Sequence, residues 1–224
     1  MYIPKPFQVD DWNEITAFVK RHPAINLVTV GENGDPMATL LPAVWDTREL
    51  REGSYGTLVT HISKGNEQWK SIKNGQVGLA IVQGPQAYVS PSNYEKKLTD
   101  HKVVPTWNYQ MVHLSGTLQV SEDRELLRQI VSGLTDFHEQ GRAKPWSASE
   151  SDSEYFEAQL GGIVAITMTV SKVEAKYKLS QNRSEVDQRT IAADLSTSPK
   201  LDEQALSTEM IRRNRLDELP KQAE

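Results

Sequence analysis

Cysteine is absent from this sequence. That absence excludes disulfide bonds, thiolate metal ligands and a cysteine nucleophile, and it fits a reducing compartment. No apolar run approaches the roughly 20 residues of a transmembrane helix. The N-terminal stretch Met1–Pro6 has no apolar run after its basic residue, so it is not a signal peptide. We therefore expect a cytoplasmic protein without a membrane segment.

A surplus of positive charge is also missing. The 224 residues carry 25 Lys and Arg against 30 Asp and Glu, a net charge of −5, which disfavours binding to nucleic acid. The strongest local basic patch is Ile211–Arg215, flanked by Glu209, Asp217 and Glu218, and this pattern favours a solvated helix face. Since no helix-turn-helix pattern stands out, direct DNA binding is not expected.

Several catalytic motifs are absent too. There is no Gly-x-Gly-x-x-Gly, no P-loop and no Gly-x-Ser-x-Gly, which speaks against dinucleotide, P-loop nucleotide and nucleophile-elbow sites. The histidines are His22, His61, His101, His113 and His138. None pairs at i, i+4 around a glutamate, so no metal site is predicted.

The patterns that are present predict a mainly β protein with peripheral helices, of the α+β class. Short strands joined by tight turns, such as the hairpin with Asn33-Gly34 in its turn, indicate an antiparallel barrel. Other predicted elements are a helix capped by Asp11, strands at Tyr55–Ile62, Gln76–Val82, Gln86–Ser90 and Ile163–Val170, and helices at Ser121–Gln140, Tyr155–Leu160, Ser184–Leu195 and Asp202–Leu219. Residues 1–195 are predicted to form one domain and 196–224 a polar helical tail, which would pack on a partner subunit or fray.

One stretch near the middle alternates polar and aromatic side chains, namely Pro105–Tyr109. As a strand it puts Thr106, Asn108 and Gln110 on one face and Trp107, Tyr109 and Met111 on the other. From these residues alone, a ligand-lining strand and a half-buried core strand fit equally well.

Two further segments are dense in hydrogen-bond donors. At His61–Trp69 a strand runs into a loop and a helix predicted to begin near Asn66, where exposed backbone N–H groups would favour an anion. At Glu174–Arg183 lysines, amides and a hydroxyl follow one another. By composition alone solvated side chains explain the first segment, and a phosphate site is the competing interpretation.

Taken together, five segments in order resemble the PaiB family of FMN-binding negative transcriptional regulators. They are Met1–Pro4 with Phe7, His61–Trp69, Gln83–Tyr94, Pro105–Tyr109 and Lys178–Arg183. The resemblance extends from the first residue to about Leu195. It implies an FMN-binding split barrel, a homodimer and a flavin pocket at the subunit interface.

The resemblance also implies site residues. The phosphate would be held by His61, Ser63, Lys64 and Asn66. The ring would be lined by Thr106, Trp107 and Asn108, and the pocket closed by Lys178, Ser180, Gln181 and Asn182. The implied cofactor is FMN. Ser63-Lys64 stands where the family usually has Ala-Arg, and a lysine lacks the bidentate fork of arginine, so the alternatives are a weaker or differently shaped phosphate site and a lost FMN site.

The first functional hypothesis is therefore an FMN-binding regulatory or sensing protein. The first alternative is an FMN-dependent oxidoreductase resembling flavin reductases or pyridoxamine-phosphate oxidases, because split barrels host both binders and enzymes. The second is a haem-binding split barrel, with His61, His101 or His113 as an axial ligand. No catalytic residue is assigned.

Overall fold

The computed structural model describes residues 1–48, 50, 52–98 and 101–216. The chain divides into two compact units. The sheet unit comprises Thr16–Val82 and Val112–Glu174, and the terminal unit comprises Met1–Ile15, Gln83–Met111 and Ala175–Glu224. Each unit is described by itself below.

The elements of the described residues are mostly strands and medium-length helices. The strands are β1 Gln8–Val9, β2 Ala24–Val30, β3 Pro36–Asp46, β4 Thr57–Ser63, β5 Val77–Val89, β6 Thr106–Ser121 and β7 Ile163–Lys178. The helices are α1 Trp12–Arg21, α2 Gln68–Ser71, α3 Arg124–Glu139, α4 Ser153–Leu160, α5 Glu185–Ser196 and α6 Leu201–Asn214.

The strands form one sheet in the order β1-β7-β4-β3-β2-β5-β6, and an additional pairing of β7 with β6 closes it into a barrel. β2, β3, β4 and β7 pair antiparallel in the sheet unit. β6 and β7 approach closely at Gly116, where a Cβ atom would lie 2.0 Å from the carbonyl oxygen of Thr169. Only glycine allows that approach. The strand order and the pairing of β6 with β7 confirm the predicted α+β barrel.

The sheet unit has two apolar layers. Alternate residues of its strands, such as Ile25, Leu58 and Ile166, are buried inside the barrel. On the outer face of β4 and β7, helix α3 packs its apolar stripe with Leu127, Ile130 and Leu134 buried. That stripe follows helical spacing, as the sequence predicts.

In the terminal unit the last two helices pack on each other. Leu206 and Met210 of α6 are fully buried, and the Ser207 hydroxyl donates to the Ala192 carbonyl of α5 at 2.6 Å. Residues 201–214 therefore form a helix that packs within its own unit, and packing of this tail on a partner subunit stays a prediction. Residues 217–224, at the end of the predicted helix and tail, lie outside the described residues.

Several predicted boundaries are corrected. β5 runs unbroken through Gly84-Pro85, because its registered pairing with β2 ends at Val82 and leaves Pro85 beyond those pairs. α3 is capped by Asp123, whose carboxylate accepts from the Leu126 N–H at 2.8 Å, while Ser121 still belongs to β6.

The remaining helix boundaries lie near their predictions. Asp11 caps α1 by accepting from the Glu14 N–H at 2.9 Å, and Ser184 caps α5. None of the helices among the described residues has the length and apolarity to cross a bilayer.

Candidate functional site

The predicted phosphate residues lie together at the end of β4 in the sheet unit. His61 and Ser63 are on the outward face of that strand, and Lys64 follows in the turn to Asn66. The outward position follows from strand alternation, because Leu58, Thr60 and Ile62 take the inward positions and are buried. The structure therefore brings all four residues into one short segment.

The backbone N–H groups of this turn are already used within the protein. The Lys64 N–H donates to the Gly162 carbonyl at 2.9 Å, and the Asn66 N–H to the Ser63 carbonyl at 3.0 Å. The Gly65 N–H donates to the Ser63 hydroxyl at 3.2 Å. The helix that follows has four residues, so the expected helix-terminus anion site is not formed, and side chains carry the donor role.

Asn66 stabilises this segment through two hydrogen bonds of its side chain. Its side-chain N–H donates to the Thr39 hydroxyl at 3.0 Å, and its carbonyl accepts from the Gln68 N–H at 2.9 Å. Gln68 is buried and donates to the Leu27 carbonyl and to the Thr29 hydroxyl, each at 3.0 Å. The role of Gln68 was not predicted, because the sequence alone does not distinguish a buried glutamine from a solvent-exposed one.

Lys64 is the cation of the cluster, and it has a carboxylate partner. Its Nζ lies 2.5 Å from Oε1 of Glu122, and both side chains are partly exposed. An anion arriving at Lys64 would compete with that carboxylate. Such exposed pairs contribute only about 0–1 kcal/mol, so the competition is weak enough to be overcome.

His61 is half-buried, and its Nδ1 has no hydrogen-bond partner among the described residues. Burial lowers the pKa of His61 below its ordinary value, because desolvation disfavours the charged imidazolium. The ring lines a hollow of about 280 Å³ with Pro42, Leu134 and His138. At neutral pH it therefore offers a neutral imidazole that can donate or accept.

Next to this cluster the outer sheet face is apolar and uncovered. Leu40 of β3 stands opposite Asn26 of β2, and Asn26 stands opposite Ile81 of β5, so these residues share the outward face. On the same face Leu40 is 65% exposed, Val30 51% and Val77 68%. A flat apolar surface thus adjoins the donors of β4.

In the terminal unit β6 presents two different faces, as the alternation predicts. Asn108 and Gln110 are fully buried, whereas Trp107 is 47% exposed. The Asn108 amide donates to the Ser180 hydroxyl at 2.8 Å and contacts Met210 Sδ at 3.6 Å. The polar face is therefore the inner one, and the aromatic face is the accessible one.

The predicted residues after β7 mostly hold their own segment. Lys178 Nζ donates to the Thr106 hydroxyl and to the Trp107 carbonyl, the latter at 2.8 Å. Gln181 accepts from the Leu179 N–H at 2.7 Å and donates to the Tyr177 carbonyl at 2.5 Å. Ser180 adopts a left-handed φ of 64°, and Asn182 is exposed in the turn.

Residues that sequence reasoning missed surround the accessible face of Trp107. Its indole N–H donates to the side-chain amide oxygen of Gln86 at 2.9 Å, and its ring meets Tyr88 edge-on with centroids 6.3 Å apart. Lys176 Nζ lies 5.2 Å from the ring centroid of Tyr109. The signal that could have found Gln86 and Tyr88 is strand alternation in β5, where the intervening Ala87 and the following Val89 are buried.

The basic stretch near the C-terminus is compensated by acids of the same unit. Arg212 donates to Glu14 at 3.0 Å and to Glu209 at 2.8 Å, and Arg213 also pairs with Glu14. Its predicted flank at Asp217 and Glu218 lies outside the described residues. These pairs place the carboxylates of Glu14 and Glu209 against Arg212 and Arg213.

Comparison with known proteins gives matches along most of the chain. Residues 1–172 match the family described as "Putative FMN-binding domain". A Bacillus subtilis protein, "Protease synthase and sporulation protein PAI 2", is 35% identical over 195 residues, 87% of this chain and 89% of that one. An uncharacterized protein of Emericella nidulans is 27% identical over 66% of this chain and 70% of its own length.

Among solved structures, an FAD and heme binding protein from Mycobacterium smegmatis superposes with a TM-score of 0.56. It covers 83% of this chain and 79% of its own, at 19% identity. At that identity the likeness shows the fold alone, and it agrees with the split barrel seen here.

Proposed function

We propose that this chain, which belongs to the family of FMN-binding domains that includes the PaiB protein, binds FMN and serves as a regulatory or sensing flavoprotein. Membership is shown by the match over residues 1–172 and by the 35% identity to the Bacillus subtilis relative. The observation that carries the site is the convergence of His61, Ser63 and Lys64 beside an uncovered apolar sheet face.

The chemistry of that convergence fits a flavin mononucleotide. The phosphate needs a cation and hydroxyl donors, which Lys64 and Ser63 supply. The ring needs a flat apolar surface, which the outward side of β3 around Leu40 supplies. When bound, FMN supplies the redox chemistry, and the chain's own residues hold and orient it. Asn66 supports the turn through Thr39 and Gln68.

A separate surface for flavin contact is proposed on the terminal unit. Trp107 is exposed and Lys178 donates to its carbonyl, and these two observations support the proposal. Burial, together with the neighbouring cations Lys176 and Arg183, lowers the pKa of Lys178. Thr106 shares the Lys178 contact, whereas the proposed role of Asn108 would be to fix β6 from inside.

Retention of FMN tests the phosphate site. Lys64→Ala is expected to weaken FMN binding about tenfold, because it removes one charge-assisted contact to the phosphate. Lys70→Ala is the matched control, since Lys70 is an exposed lysine on the next helix that pairs with Glu67. Affinity is measured by quenching of flavin fluorescence, and equal affinities in the two variants would contradict the assignment.

We further propose that the chain is a homodimer whose second copy covers the apolar face of β2, β3 and β5. Three large side chains exposed on one sheet face form the kind of patch that marks a contact surface. Leu40→Asp is expected to shift the protein to monomer in sedimentation velocity. Tyr155→Asp is the control, because Tyr155 is 62% exposed on α4, and a dimer that survives Leu40→Asp would refute the interface.

The regulatory role is proposed to work through a partner or through metabolism. The net charge of −5 and the internally paired arginines of α6 support this over direct DNA contact. A gel shift with genomic fragments at physiological salt tests the point, and a specific shift would overturn it. Lack of cysteine supports a cytoplasmic location.

An FMN-dependent oxidoreductase is the competing function. The lowered pKa of Lys178 beside an exposed tryptophan favours it, because perturbed groups cluster at reactive sites. Steady-state oxidation of NAD(P)H by the FMN-loaded protein would establish it, and an inert flavin would leave the sensing role.

Haem binding at His61 has less support from the geometry. The hollow beside this ring measures about 280 Å³, which is below the roughly 300–1,000 Å³ of ordinary ligand pockets. A macrocycle would need α3 to move. A titration without a Soret shift is the expected result.

A further inference from the structure

A second and larger cleft lies in the sheet unit. It measures about 1130 Å³ and is lined by the second half of α1, the end of β3 and one side of α3. That volume is slightly above the roughly 300–1,000 Å³ seen for small-molecule sites. None of His61, Ser63 and Lys64 is among its lining residues, so the proposed flavin site does not account for it.

The lining of this cleft combines polar residues with an apolar part. Val44, Val59 and Ile130 line it, and they belong to or pack against the buried cluster under α3. The aromatic residues Trp45 and Phe137 are also among its lining residues. Such a lining suits a flat hydrophobic ring system, because aromatic pairs gain from edge and offset contacts beyond burial alone.

The charges around the cleft favour an anion. Arg48 holds Asp46 through two contacts of 2.9 and 2.6 Å, and this pairing lowers the pKa of Asp46 to about 2. The acid is therefore ionised and neutralised by its neighbour. Lys20, an exposed cation on α1, is then the group best placed to meet a negatively charged ligand.

Gly133 keeps the cleft open from the side of α3. It lies within the helix, where glycine costs about 1 kcal/mol relative to alanine, and it lines the cleft. A Cβ atom built there meets nothing within 4 Å. A side chain would therefore fit without strain and would enter the space that the glycine leaves free.

We propose that this cleft binds a small aromatic carboxylate, with the ring against Phe137 and the apolar lining of Val44, Val59 and Ile130, and the anionic group at Lys20. The site is distinct from the one proposed for FMN, and it would give a sensing protein a separate place for an effector.

The test uses 2-naphthoate as the probe and 2-naphthamide as its neutral counterpart, with binding measured by calorimetry on the full chain. Gly133→Phe fills the cleft and is expected to weaken 2-naphthoate by at least about tenfold, the loss of one well-packed ring contact. Gly133→Ala, the matched control, is expected to bind within about twofold of the original protein. Lys20→Gln is expected to weaken the carboxylate about two- to fivefold and leave the amide unchanged, as for an exposed ion pair.

Far-ultraviolet circular dichroism checks the fold of each variant. If Gly133→Phe does not fold, Gln129→Trp blocks the same cleft from an exposed position on α3, and the same loss is expected. Undiminished binding in the folded blocking variant would overturn the proposal, as would the absence of binding in the original protein.

Two further measurements separate this cleft from other occupants. FMN affinity is expected to be equal in Gly133→Phe and Gly133→Ala, and a loss confined to Gly133→Phe would make the cleft part of the cofactor site and overturn a separate ligand. Sedimentation is likewise expected to be unchanged. A dimer lost only in Gly133→Phe would instead identify the cleft as a subunit contact and overturn the proposal.

Discussion

The donor residues of the sheet unit and those of the terminal unit have similar chemistry and opposite surroundings. His61, Ser63 and Lys64 stand on an outward strand face and the turn after it, where Ser63 is exposed, Lys64 is partly exposed and His61 is half-buried. Asn108 and Ser180 bind each other inside the terminal unit, where Asn108 is fully buried. Similar hydrogen-bond donors therefore form the proposed ligand-binding surface in one unit and a buried hydrogen bond, between Asn108 and Ser180, in the other.

The largest expected effect on stability comes from placing a charge at Asn108, which is buried against Ser180. Asn108→Asp would bury a carboxylate at a fully buried position, and it is expected to lower the free energy of unfolding by about 3 kcal/mol. Asn182→Asp, on the exposed turn, is expected to change it by less than about 0.5 kcal/mol. Urea unfolding at pH 7 measures both values.

The pH dependence of Asn108→Asp sharpens the same comparison. Burial raises the pKa of the introduced acid in the folded state above its value in the unfolded chain, so the unfolded chain loses its proton first. Stability is therefore retained at low pH and lost as the pH rises through the unfolded pKa. Similar losses in Asn108→Asp and Asn182→Asp at pH 7 would mean that burial does not distinguish the two positions.

A smaller effect is expected at the accessible donors. Glu122→Gln removes the carboxylate that competes for Lys64, so FMN affinity is expected to rise about three- to fivefold, the equivalent of an exposed ion pair. Glu67→Gln is the control, because Glu67 pairs with Lys70 instead. Fluorescence titration at low ionic strength measures the change, and an equal rise in both variants would point to net charge alone.

The smallest effect concerns His61. Its folded pKa is lowered by burial, so protonation favours the unfolded chain, and the contribution of this residue is lost as the pH falls below the unfolded pKa of about 6.5. His61→Gln is expected to reduce the loss of stability between pH 7 and pH 5. The imidazole is also expected to titrate below its ordinary range in an NMR pH series, and a normal or raised pKa would contradict its burial.

The sequence predicts much of the fold because its periodicities are local. The alternation in β6 and the apolar stripe of α3 place the correct faces inward, and Asp11 caps the helix it was expected to cap. The predicted ends of strands and helices are wrong where contacts with residues distant in the sequence determine them. Gly84-Pro85 suggests a break, yet β5 continues, and Ser121 looks like a cap although Asp123 takes that position.

The candidate site divides in the same way. The donor segments could be identified from residue type and from the family resemblance, and membership of that family is confirmed. The use of the turn N–H groups by Ser63 and Gly162 could not be predicted, and neither could the engagement of Asn66 by Thr39 and Gln68. Those partners are remote in the sequence or depend on the backbone of a particular turn.

By itself the sequence determined an α+β barrel, its family and the short segments that carry polar chemistry, because residue type and periodicity act over a few neighbouring positions. Tertiary structure alone decided which of these groups remain available. Folding buried Asn108 against Ser180, paired Lys64 with Glu122 and left a glycine facing an open cleft, because a polar group's availability depends on which distant groups pack against it.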